Sequence, residues 1–107
     1  SSAASDVYKR QIIGPTGLLI CPNIRIGLLL LGKNVFYPSH KHEALELYNI
    51  LSGTSIWQLF DNNFEKKFPL DNIFHDKWVP HAMKTIGDPM LALFSWSGMI
   101  NKEAIPI

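Results

Sequence analysis

The chain of 107 residues carries 10 Lys and Arg against 9 Asp and Glu, one Cys and 47% hydrophobic residues, which is one domain's worth of sequence with a modest core. Balanced charge leaves no basic stripe for nucleic acid and no acidic tail, and a lone Cys excludes an internal disulfide framework or a multi-Cys zinc cluster. The longest aliphatic run, Ile26 to Leu31, is too short to span a bilayer.

Ser1 to Gln11 has no hydrophobic period. It reads as the in-frame translation of a sequencing-library adapter, outside a fold that occupies 12–107 as one domain. On this reading the remainder is neutral, the natural start is missing, and the chain is an N-terminally truncated fragment whose lack of a signal peptide says nothing of compartment. Cys21 leans towards a reducing one such as the cytoplasm.

From Ile12 onward short apolar runs alternate with turn signals. Ile24 to Leu31, bounded by Pro22-Asn23 and Gly32-Lys33-Asn34, predicts a buried strand. His40 to Leu51 predicts a second strand and Thr54 to Phe60 a third, the two joined as a hairpin across Ser52-Gly53. Phe64 to Phe68 follows as a short strand, then Ile73 to His75 after a turn. His81 to Ile86 and Met90 to Trp96 close the series across Gly87-Asp88-Pro89. Short strands at this spacing make an all-β domain, an antiparallel sandwich or small barrel.

The second strand carries the chemistry. Alternation puts His40, His42, Ala44, Glu46 and Tyr48 on one face. Two imidazoles, a carboxylate and a phenol so aligned are costly to bury unpartnered. They suit a divalent cation, which takes imidazole nitrogen and carboxylate oxygen together. Pro80-His81 supplies another imidazole at the start of a later strand, after a corner able to bring it alongside.

His40-x-His42-x3-Glu46-x6-Gly53 resembles the first motif of the cupin superfamily, and Pro80-His81 resembles the core of the second, without the glycine that usually separates the pair. Within the cupins, three stretches are similar to the dimethylsulfoniopropionate (DMSP) lyases. They are Tyr37-Pro38-Ser39-His40 through Tyr48, then Leu51-Ser52-Gly53-Thr54 with Trp57, and finally His81-Ala82-Met83-Lys84-Thr85 through Pro89-Met90-Leu91-Ala92-Leu93 to Trp96-x-Gly98. The resemblance implies a small antiparallel cupin (jelly-roll) barrel and a β-elimination that converts DMSP to dimethyl sulfide and acrylate.

It also implies roles. His42, Glu46 and His81 are expected to hold one Fe, Zn or Mn ion with open positions, and His40 is a fourth ligand or a hydrogen-bonding neighbour. Tyr48 and Tyr37 are the candidate bases, acidified by a neighbouring cation. Trp96 is expected to face the sulfonium, since ring faces attract onium cations; Trp57 and Trp78 are alternatives. His75 is read as a hydrogen-bonded residue, with approach to the metal as its alternative, and Lys84 and Arg25 as solvated surface cations. The partner is a small zwitterion, and cupins commonly pair through their barrels as homodimers. The same ligands also serve an Fe(II) cupin dioxygenase or a non-catalytic metal- or ligand-binding cupin.

Overall fold

A computed structural model describes residues 6–106. Turn-forming Pro, Gly and Asn punctuate eleven strands. In chain order these are β1 (Val7–Gly14), β2 (Leu19–Ile20), β3 (Arg25–Leu31), β4 (Phe36–Lys41), β5 (Leu45–Ser52) and β6 (Ser55–Leu59). They continue with β7 (Glu65–Lys67), β8 (Asn72–His75), β9 (His81–Thr85), β10 (Met90–Ser97) and β11 (Ile105–Pro106). One sheet has the order β2-β1-β3-β10-β5-β8 and the other β11-β4-β9-β6-β7. All pairings are antiparallel except that of β1 with β2.

From β3 onward the chain crosses from one sheet to the other at every connection but that between β6 and β7. The inner faces therefore meet in a single core. Leu29 and Leu31 of β3, Tyr48 and Ile50 of β5, and Ala92, Phe94 and Trp96 of β10 cluster with Trp57 and Met83 of the opposite sheet. Burying each large apolar side chain of this set stabilises the fold by about 1.5–3 kcal/mol. Gly27 lies opposite Phe94 in the ladder, and a Cβ there would strike the Phe94 ring and the Arg10 carbonyl. The missing side chain is what lets the ring lie over β3.

Three expectations require correction. Val7 to Gln11 do not lie outside the fold: they belong to β1, which pairs with β3 from Val7↔Leu31 onward. Backbone pairing to the β3 edge needs no particular side chains, so an apparently patternless segment can add to it. Ser1 to Ser5, also assigned to that tail, fall outside the described residues.

The run His40 to Leu51 is not one strand. It bends at His42 to Ala44, leaving β4 in one sheet and β5 in the other. Burial nevertheless alternates without a slip from His40 to Ile50, so the face assignment survives the bend. Nor do the strands flanking Gly53 form a hairpin. Both edges of β5 are taken, by β10 and β8, and Gly53 carries the chain across to the other sheet with φ 84°.

Candidate metal centre

Glu46 sits in the middle of a row that register alone assembles. Across the ladder it faces Trp96 of β10 on one side and His75 of β8 on the other. His42 occupies the bend ahead of β5, where its carbonyl accepts from the Trp78 backbone N–H at 2.7 Å. His81 opens β9 opposite His40 of β4. His42, Glu46, His75 and His81 are at most 1% exposed and His40 6%.

Backbone carbonyls set the tautomers. Nδ1–H of His40 donates to Pro38 O at 3.0 Å, that of His42 to Ala44 O at 2.9 Å, and that of His81 to Val79 O at 2.9 Å. Each Nε2 then carries a lone pair. Nε2 of His42 lies 2.8 Å and Nε2 of His81 3.5 Å from Glu46 Oε1. One ligand atom from each of His42, Glu46 and His81 lies within 4.8 Å of the others. Among the described residues the Nε2 atoms of His81 and His40 have no hydrogen-bond partner. Two lone pairs turned towards a carboxylate oxygen is an arrangement that a cation resolves, so the donor set fits a divalent transition metal.

The carboxylate is held in its charged form. Burial opposes ionisation of Glu46, but the ring nitrogens of His42, His75 and His81 gathered around the carboxylate outweigh it and hold the group well below the usual carboxyl range. Oε2 accepts a further bond from Trp96 Nε1–H at 2.7 Å. Burial, with His81 alongside, pushes His40 down to about 3. Burial also pushes His75 down to about 4. Both are neutral imidazoles near pH 7.

The two tyrosines sit in different surroundings. Tyr48 is fully buried against Trp57 and His75, with ring centroids at 4.8 and 5.5 Å, and its hydroxyl has no partner among the described residues. Tyr37 stacks on His40 at 4.3 Å and lines a groove of 260 Å³ with Pro38, Ser39, His40 and Ala104 to Pro106. Burial raises both phenols, and the Glu46 charge raises them further. The acidification expected of them therefore does not come from neighbouring side chains of this chain.

Trp96, expected to face the sulfonium, is engaged by groups of this chain. Its N–H holds Glu46, while cations already lie over its ring: Lys9 Nζ at 5.1 Å and Arg25 Cζ at 5.3 Å from the centroid. Trp57 is a core residue, 2% exposed, donating to Ser55 Oγ at 2.7 Å. Trp78 is half-exposed with φ 60°. Arg25 pairs with Glu103 at 3.2 Å, and Lys84 lies over the Phe64 ring. The sequence reading favoured a hydrogen-bonded role for His75 over an approach to the metal. Its parity with buried Ile73 in β8 marked it as inward-facing, but only the register with β5 places it against Glu46.

Comparison with known proteins agrees with this geometry. The DMSP lyase family model matches residues 2–92. The DMSP lyase DddQ of Ruegeria pomeroyi is 30% identical over 96 residues, 90% of this chain and 47% of that protein. Its crystal structure superposes with a TM-score of 0.91 at 25% identity, covering 96% of this chain and 52% of the other. A structure from work on the DMSP lyases RdDddP and RnDddQII gives 0.86 at 28% identity, covering 92% and 51%. A cupin superfamily protein of Desulfitobacterium hafniense, 16% identical, gives 0.71 over 85% of this chain and 76% of its own, a likeness of fold. The chain spans about half the length of the DMSP lyases it matches. Among the described residues no helix is long and apolar enough to cross a membrane. An all-β cupin fold with a buried His-Glu-His cluster, matched along most of its length, makes this chain a member of the dimethylsulfoniopropionate lyase family.

Proposed function

We propose that the protein cleaves DMSP to dimethyl sulfide and acrylate by a metal-dependent β-elimination assisted by a tyrosine. The observation that carries this reading is the convergence of His42, Glu46 and His81 in a chain of this family. A divalent ion held by these three would act as a Lewis acid on an incoming carboxylate and supply positive charge beside the tyrosines; zinc, iron and manganese all suit the donor set.

The remaining work falls to the chain's own groups. A tyrosinate oxygen takes the proton α to the carboxylate, and the electron pair of that C–H bond forms the new C=C bond. The C–S pair departs on sulfur, so dimethyl sulfide leaves neutral and no general acid is needed. Tyr48 sits on the ligand side of β5, two residues beyond Glu46, with a buried and unpartnered hydroxyl. Tyr37 stands where the groove meets His40. With Lys9 and Arg25 over the Trp96 ring and the His42 ring 4.3 Å from it, the sulfonium end of the substrate would have to displace a cation to lie on that ring. Gas-phase detection of dimethyl sulfide from metal-loaded protein tests the proposal. Release should stop with a chelator and fall at least tenfold in Tyr48→Phe or Tyr37→Phe, on the order expected for loss of a general base. If both variants release dimethyl sulfide at the wild-type rate, the tyrosine role is wrong.

A further inference from the structure

Glu46 has a nitrogen-bearing ring on each side of it in the sheet, Trp96 and His75. On the β10 side Trp96, its direct ladder neighbour, donates to Oε2 at 2.7 Å. On the β8 side His75, its other direct neighbour, places Nδ1 3.8 Å from Oε1. His75 is fully buried, and among the described residues neither of its nitrogens has a hydrogen-bond partner. A buried imidazole with both nitrogens unanswered is uncommon in folded proteins.

We propose that His75 is a positioning residue that orients the Glu46 carboxylate from the side opposite Trp96, its Nδ1–H turned to Oε1 at 3.8 Å, a longer contact than the hydrogen bond Trp96 makes to Oε2. Its ring also backs that of His81, the two lying parallel at 3.9 Å and 9°. The same stacking argues against His75 as another ligand. Lone pairs in the planes of two stacked rings run side by side and do not converge on one ion. His75 therefore orients a ligand on each sheet, Glu46 through the charge-to-dipole contact of Nδ1–H and His81 by stacking. Partners of this kind fix ligand orientation, and losing one typically costs 10- to 100-fold in metal affinity. This inference rests on the reading of His42, Glu46 and His81 as the metal ligands.

Zinc titration of the full chain against a competing chelator tests it. His75→Phe keeps a flat ring for His81 but has no N–H, whereas His75→Asn returns an amide N–H at the δ position. His75→Phe should bind zinc roughly 10- to 100-fold more weakly than wild type and His75→Asn within about fivefold of it. The visible spectrum of the cobalt-loaded protein should change in the first variant and be preserved in the second. Should His75→Phe not fold, the near-isosteric pair His75→Asn and His75→Leu carries the comparison. Equal affinity in wild type and His75→Phe, or in the Asn and Leu variants, overturns the role of His75. A wild type that binds no zinc, cobalt, iron or manganese overturns the metal reading and this inference together, which separates the two failures.

Discussion

Replacing Trp96 by Phe removes the N–H that reaches Glu46 Oε2 at 2.7 Å while keeping an aromatic ring in place. The bond is charge-assisted and dry, with Trp96 3% and Glu46 1% exposed. Hydrogen bonds to buried charges are worth about 1.5–3 kcal/mol, against about 0.5–1.5 kcal/mol for neutral pairs. Truncating indole to phenyl adds a cavity term that must be separated out. Trp57→Phe provides the control. Trp57 is equally buried, and its N–H makes a bond of the same length to the neutral Ser55 hydroxyl. The two variants share the truncation and differ in the charge of the acceptor. Trp96→Phe should therefore be the less stable by about 1 kcal/mol, or roughly 4–8 °C in Tm for a domain of this size. Circular dichroism melts of the metal-free proteins at pH 7 measure the difference. A Trp96→Phe protein that melts at or above the temperature of Trp57→Phe would refute the claim that this bond holds a buried carboxylate.

Two more predictions concern protons and backbone. His40 and His75 titrate near 3 and 4 when folded and near 6.5 when unfolded, so between those values the unfolded chain binds more protons and stability falls with falling pH. From pH 8 to pH 5 each should cost about 2 kcal/mol; Glu46, held low, adds its loss only at more acid pH. Urea denaturation of the metal-free protein at the two pH values reads this out, and unchanged stability would contradict neutral burial of both rings. At Gly53 (φ 84°) an added Cβ would collide with the Pro89 carbonyl, whereas at Gly87 (φ 85°) it would meet nothing within 4 Å. Gly87→Ala should cost only the left-handed backbone penalty of about 1–2 kcal/mol. Gly53→Ala should cost clearly more, and equal losses in denaturant midpoint would show that Gly53 is not tightly enclosed.

The inward-facing His42 and Glu46 were legible in the sequence because their signal is local. Alternation from His40 to Tyr48 specifies which side chains turn inward, and it holds even though the chain changes sheets midway. The bend at His42 to Ala44 left no comparable mark, since neither Glu43 nor Ala44 is a turn former. Gly53 announced a reversal correctly, but whether a chain folds back or crosses over depends on which strands occupy the neighbouring edges. Those strands, β10 and β8, come from far along the sequence. The pairings of Trp96 and His75 with Glu46 were hidden for the same reason. Strand register between distant segments is set by the whole barrel and by no local motif.

The cluster draws its members from both layers: Glu46 from one sheet, His81 from the other, and His42 from the bend that connects them. Neither layer owns the centre. A slide of one against the other, small enough to spare the greasy contacts between them, would carry the donor atoms out of mutual reach. An ion seated among them would act as a rivet: its capture would stiffen the sandwich, and any loosening of the sandwich would release it.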